Sequence, residues 1–257
     1  MAYVDQPDNG AGFSPAPGAY PYEQAVPRHA AGAAQPVVRP DATPPWPLLA
    51  DDFFRLTHDD STGKPWLNAR DLGVGLAAAL LGELTAARKV EPRAGILETY
   101  PGAQAPPSDA LAHTVLDRIL KDPQLHDLRA WLIALGLDAH EQVAGRLLRA
   151  GHVERTGVRR RWRADEVRYV PVDRSTAAMP WARLSLRLRN RQTLHTFDVF
   201  LAGLVSATGL ASHVLDGAPR DAAVYLADLV DQLPGPLREL VAYTEVVVGE
   251  AVLGRRT

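Results

Sequence analysis

The 257-residue chain has no cysteine, and lysine supplies only 3 of its 28 basic residues. Without thiols there is no disulfide framework, thiolate zinc site, iron–sulfur cluster or cysteine nucleophile. Long apolar runs are missing as well. The longest uncharged one, Val199–Ala211, has 13 residues and includes Ser206 and Thr208, short of the roughly 18 or more that a spanning helix needs. The first basic residue is Arg28, and no apolar core precedes it. A secretory signal is therefore not visible, and the expectation is a cytoplasmic protein. Catalytic signatures are lacking too: there is no GxGxxG after a strand, no P-loop, no HExxH and no GxSxG. No acid, base and nucleophile converge, so the reading calls for no enzyme, no catalytic residue, no metal ligand and no cofactor.

What is present describes a folded chain, 46% hydrophobic and 23% charged, with a net charge of -2. Residues 1–47 stand apart, with 10 Pro, 10 Ala, 4 Gly and only 6 charged side chains. Apolar side chains are too sparse there to offset an ordering cost of about 1–2 kcal/mol per residue. The segment reads as a disordered tail, and residues 48–257 as a single domain.

In that domain apolar positions recur every three or four residues, the helical period. A short amphipathic helix over Leu48–Thr57 ends at the polar turn His58-Asp59-Asp60-Ser61-Thr62-Gly63. Asp59 and its neighbours suit an Asx-type cap rather than metal ligands. Asn68 can cap a helix to about Ala87 that has no polar side chain between Leu72 and Leu81, and such a helix is buried on every side. A small hairpin follows around Arg93-Ala94-Gly95, then helices over Ser108–Lys121, about 124–135 and 139–150, the last stopped by Gly151. Val153–Val172 suits a β-hairpin turning around Thr156-Gly157. Helices over Ser175–Leu188, Leu194–Val205, about 220–232 and from Pro236 onward complete the chain. The expected fold is all-α, a central helical bundle ringed by amphipathic helices, with one protruding basic β-hairpin.

Charge is unevenly distributed. Between Arg155 and Arg191 there are 11 arginines against Asp165, Glu166 and Asp173, a balance of +8 that leaves -10 elsewhere. The stretch reads as one basic surface, densest at Arg159, Arg160, Arg161, Trp162 and Arg163 on the hairpin. Arginines beside an amphipathic ring suit an anionic membrane, where each basic residue contributes about 1 kcal/mol. Nucleic-acid phosphates are the less favoured partner. Helix, Gly151 and hairpin outline a winged helix, but Asp138–Arg149 as recognition helix offers only Arg146 and Arg149. His140-Glu141 reads as a solvated helix start, since adjacent helical residues point about 100° apart. Trp66 and Arg70 flank the start of the apolar helix, whose free amides suit a phosphate.

Four stretches, in their order and spacing, resemble one known family. They are Gly75-Leu76-Ala77-Ala78-Ala79-Leu80-Leu81-Gly82-Glu83-Leu84, Leu147-Leu148-Arg149-Ala150-Gly151-His152-Val153, Phe200–Leu215 and Leu226–Leu253. The chain is similar over about Leu48–Leu253 to the Golgi phosphoprotein 3 family, in its actinobacterial type. The resemblance implies the helical domain and hairpin described above. It also implies a peripheral membrane protein that binds phosphatidylinositol 4-phosphate and acts as an adaptor for membrane or protein clients. Its headgroup pocket would use a Trp before the central helix, an Arg on that helix, and two Arg three residues apart near the start of the helix before the hairpin. Trp66 answers to the first, and Arg70 stands in for the second, whose aligned position is Ala77. Leu137 and His140 stand opposite the arginine pair. Trp66, Arg70 and His140 are thus the expected headgroup-binding residues. Arg159, Arg160, Arg161, Trp162 and Arg163 form the expected membrane-facing hairpin, suited to adsorb to phosphates rather than to insert.

Overall fold

Asn68 begins the helix on which the rest is assembled: its side-chain oxygen accepts from the amides of Arg70 and Asp71 at 3.2 and 3.1 Å, the exchange expected of an N-cap. A computed structural model of the chain describes residues 48–254 apart from 102, 104–106, 108, 159–165 and 220. The Pro/Ala/Gly-rich segment 1–47 and the cluster Arg159, Arg160, Arg161, Trp162 and Arg163 lie outside the described residues. The described residues all belong to the unit Pro36–Thr257. They are mostly helical, with ten helices and two small two-stranded sheets among them. In chain order these are α1 (Leu49–Thr57), α2 (Ala69–Ala86), β1 (Val90–Arg93), β2 (Ile96–Thr99), α3 (Ala110–Lys121), α4 (Leu128–Gly136), α5 (Ala139–Arg149), β3 (Val153–Val158), β4 (Glu166–Pro171), α6 (Arg174–Arg189), α7 (Thr196–Ala207), α8 (Ala211–Val214), α9 (Ala222–Asp231) and α10 (Gly235–Gly254).

Every residue of α2 from Asp71 to Leu84 is buried, because a helix with apolar side chains on all faces is stable only when covered on all sides. It packs against α1, α3, α4, α5, α7, α10 and β1. Close approach needs small residues: a Cβ on Gly73 would lie 2.0 Å from the carbonyl oxygen of Gly136 on α4. Helix α7, buried from Val199 to Val205, packs in turn on α1, α9 and α10.

Three local expectations shift. The helix expected from about 124 starts at Leu128, because the preceding chain bonds elsewhere. Leu97 N–H donates to His126 O and Leu128 N–H to Gly95 O, at 2.8 and 2.9 Å, which binds 126–128 to the first hairpin. Asp127 then caps α4 through the amide of Arg129. Helix α8, a separate turn after Gly209, lies beyond the helix expected over Leu194–Val205. Thr156 and Gly157 are not the turn of the second hairpin but lie within β3, opposite Arg168 and Val167. A two-residue turn there would pair Arg155 with Val158. The observed register pairs Arg155 with Tyr169 and lays Val153 and Tyr169 on the core, each 5% exposed.

One guanidinium joins four elements of this packing. Arg146 of α5, 7% exposed, donates from Nε to Asp51 of α1 at 2.8 Å and through two parallel 3.0 Å bonds to Glu83 of α2. It also reaches Asp109, the N-cap of α3, at 3.0 Å. The acceptors have further partners: Glu83 receives the amide of Ala50 in the first turn of α1, and Asp109 that of Ala112, each at 2.8 Å. Burial pushes the carboxyls of Asp51 and Glu83 up, and Arg146 pulls them back. Removing the cation would strand buried carboxylates, the situation in which breaking an ion pair is most destabilising. Arg146→Met is expected to lower unfolding free energy in urea by about 3–5 kcal/mol. Asp109→Asn, at the most exposed of the three partners, is expected to lower it by about 1 kcal/mol or less.

Candidate functional site

Where α1 ends, Thr57 bonds back to the carbonyls of Phe53 and Phe54 at 2.9 and 3.1 Å, and His58 turns the chain into an extended conformation. The His58 ring lies 3.8 Å from that of Phe54, nearly parallel. Its Nδ1 is 2.7 Å from Phe54 O. A carbonyl can only accept, so Nδ1 carries the hydrogen and Nε2 keeps a lone pair. That lone pair meets Nε2 of His140 at 3.2 Å, which must then carry the hydrogen between them. Tyr169 of β4 stands edge-on to the His140 ring at 5.8 Å and donates to Glu141 at 2.6 Å. Burial, reinforced by the neighbouring His140, pulls His58 down to about 3, so it is neutral at pH 7. His140 is also lowered by burial.

Beyond His58 the chain forms a tight loop. Asp59 Oδ1 accepts from Ser61 N–H and Oγ–H at 3.1 and 2.6 Å, and from Thr62 N–H and Oγ1–H at 2.7 and 2.8 Å. This is the Asx-type cap read from the sequence. The Ser61 and Thr62 hydroxyls hold its carboxyl well below the usual carboxylate range. Gly63 turns the loop at φ +63°, and a Cβ there would lie 2.2 Å from Tyr169 O, so the loop is seated directly on β4. Trp66 N–H then returns to Thr57 O at 2.9 Å, leaving the indole 47% exposed.

A cleft of about 230 Å³ opens beneath this indole, lined by Arg55, His58, Asp59, Asp60, Trp66, Ala177, Ala178, Trp181 and His213. It shares Arg55, His58, Asp59, Asp60 and Ala177 with a smaller hollow at the base of the second hairpin, which His152, Val153, Pro171 and Val172 complete. The expected site residues do not gather here. Trp66 lines the cleft. Arg70, on the first turn of α2, directs its guanidinium to Val247 O of α10 at 3.5 Å. His140 touches the cleft only through His58. The histidine beside Glu141 is not a solvated helix start, since stacking on Phe54 and His58 draws it inward. Arg159, Arg160, Arg161, Trp162 and Arg163 lie outside the described residues.

The basic stretch is divided rather than one surface. Arg183 pairs with Asp52 at 3.0 Å and Asp198 at 2.7 Å, Arg187 with Asp198 at 3.2 Å, and Arg191 with Asp221. Arg146 is consumed in the core, which leaves Arg149 as the surface basic residue of the helix considered for base reading. Sequence reasoning missed His58, Trp181 and His213 as neighbours. The spacing of Phe54 and His58, one helical turn, was the available signal for the first. The other two carried none, since they come from residues well over 100 positions beyond Trp66.

The elements from α1 into α10 fall inside one family model, Golgi phosphoprotein 3 (GPP34), which matches residues 49–244. The chain belongs to the Golgi phosphoprotein 3 family. No curated protein matches it. GPP34 is not a known enzyme family. In this GPP34 chain Ala77 is fully buried and Leu137 is 84% exposed, and His140 faces His58. The positions that the resemblance sets against the family's three arginines thus present no cation to solvent at pH 7.

The neutral His58 has a measurable consequence. Between pH 6.5 and 3 the unfolded chain binds a proton at this imidazole and the folded chain does not. Stability therefore falls as pH drops through that window, at up to about 1.4 kcal/mol per pH unit. Urea denaturation is expected to show a loss of about 2 kcal/mol between pH 6.5 and 5, and His58→Phe is expected to flatten most of it.

Proposed function

We propose that the protein is a peripheral membrane protein that binds anionic phospholipid headgroups, as its family does with phosphatidylinositol 4-phosphate, and serves as an adaptor rather than a catalyst. Membership of the GPP34 family over residues 49–244 is the observation that carries this reading. No helix among the described residues is long and apolar enough to cross a membrane. Of the arginines of α6, Arg183 and Arg187 are paired with Asp52 and Asp198. The binding charge is then concentrated in Arg159, Arg160, Arg161 and Arg163, with Trp162 among them, in the connection between β3 and β4.

In this reading the headgroup is held by a basic patch more than by a convergent pocket. Specific recognition of a phosphorylated ring relies on guanidiniums placed for paired bonds, and this chain has Ala77, Leu137 and His140 at three such positions. Arg70, exposed at the start of α2, contributes a further guanidinium. Trp66 and His140 contribute no charge to a phosphate. Attraction of this kind is salt-sensitive and tolerant of the anion's identity.

Co-sedimentation with neutral, generically anionic and phosphatidylinositol 4-phosphate vesicles, at low and high salt, tests the proposal. Binding to both anionic kinds is expected, weakening at high salt. Replacing Arg159, Arg160 and Arg161 by Glu is expected to weaken it about a hundredfold while the helical circular dichroism is retained. Undiminished binding by that variant would remove the hairpin from the mechanism. Capture by duplex DNA with no vesicle binding would favour the nucleic-acid alternative.

A further inference from the structure

The cleft beneath Trp66 has the wrong charge for a phosphate. Its lining carries Asp59 and Asp60 against a single cation, Arg55. That guanidinium is already committed to Asp52 at 3.1 Å. His58 is neutral at pH 7. Asp59 stays ionised through its bonds to Ser61 and Thr62, and Asp60 stands exposed on the rim. An anion entering here would meet two carboxylates.

The walls, in contrast, are aromatic. Trp66 and Trp181 flank the His213 imidazole with ring centroids at 5.3 and 6.4 Å and interplanar angles of 40° and 47°. The rings are held in place from different parts of the chain. Trp181 N–H donates to His213 O at 3.0 Å, and the backbone of Trp66 is bonded to the end of α1 at 2.9 Å. Arg189 stands 5.9 Å from the Trp181 ring centre without lining the cleft. Tilted rings around a small volume, with carboxylates at one side, are the arrangement that attracts a weakly hydrated cation through ring quadrupoles. At about 230 Å³ the space falls below the roughly 300–1,000 Å³ of a drug-sized site. It suits one small group.

We infer that this cleft binds a quaternary ammonium group of the choline type, with Trp66, Trp181 and His213 against its methyl groups and Asp60 and Asp59 balancing its charge. A primary ammonium or a metal ion fits less well. The former keeps a tight hydration shell. The latter prefers oxygen or imidazole ligands, and no group of three or more potential metal ligands occurs among the described residues. The trimethylammonium can come from a phosphatidylcholine headgroup or from a free solute. The inference does not depend on binding of anionic membranes by the hairpin.

The test uses the full chain at pH 8, above the ordinary imidazole range, with tetramethylammonium chloride followed by calorimetry and by saturation-transfer NMR of the methyl protons. Saturable binding is expected, with no comparable signal from ammonium chloride or inorganic phosphate. Trp66→Ala is expected to weaken it about tenfold or more, and Asp60→Asn several-fold. Trp66 is half exposed, so circular dichroism should be unchanged. Glycerophosphocholine and phosphatidylcholine vesicles then separate the sources: binding of both marks a headgroup site, and binding of the solute alone a solute site. Absence of saturable binding, or equal affinity in folded Trp66→Ala, overturns the inference. Asp60→Asn, outside the residues expected to meet an anionic headgroup, should keep its affinity for anionic vesicles, so failure here and failure of the membrane reading are distinguishable.

Discussion

The ion cluster around Arg146 is the constraint on which the arrangement of this domain rests. A guanidinium 7% exposed can persist only if its charge and donors are met, and here they are met by carboxylates from three other elements. Asp51 and Glu83 are themselves out of water, so neither they nor Arg146 can be satisfied unless α1, α2 and α5 sit in one geometry. The gain in stability from such a cluster is modest because of desolvation, but any alternative packing of these helices would leave buried charge unpaired. An apolar interface between the same helices would tolerate sliding. This one is tied to bonds of 2.8–3.0 Å.

That constraint reaches the surface through α1. With Asp51 fixed at its start, the other end of the helix places Phe54 and His58 beside His140 and Tyr169. The loop that follows is seated on β4 at Gly63 and returned to Thr57 through Trp66. A second set of ion pairs, Arg183 with Asp52 and Asp198, holds α6 against α1 and α7. Trp181 is carried on the same helix. The walls of the cleft are therefore positioned by two ion clusters that do not line it, apart from Arg55, which takes part in the second.

The electrostatic outcome is a separation of roles. Tertiary contacts pair Arg183 and Arg187 of α6 with carboxylates, take Arg146 into the core and leave carboxylates around the Trp66 cleft. The arginines between β3 and β4 have no such acids close in sequence apart from Asp165 and Glu166. The proposed anion-binding arginine run and an acidic cleft are compatible in one chain, because each is defined by local charge rather than by the net charge of -2.

Much of this was legible in the chain before folding. The all-round apolar stretch of α2, its Asn68 cap, the helical period of α1, α3, α5, α6 and α10, and the Asx turn at Asp59 follow from interactions within a few residues, which sequence order states directly. The family resemblance likewise rested on the order of apolar segments, and the match over residues 49–244 bears it out. The reach of β3, the late start of α4 and the presence of α8 did not follow, because each depends on backbone bonds or packing made to a distant segment. The same holds for the site. Composition determined that arginines crowd residues 155–191, but only tertiary structure decided which of them remain available, since pairing with Asp52, Asp198 and Asp221 requires separate elements to meet, in the case of Arg183 and Asp52 across 131 residues. The sequence determined where the helices and the charges are; the fold decided that Trp66 and its two neighbouring carboxylates face Trp181 and His213, because short-range rules for helices and turns contain no information about contacts across 100 residues or more.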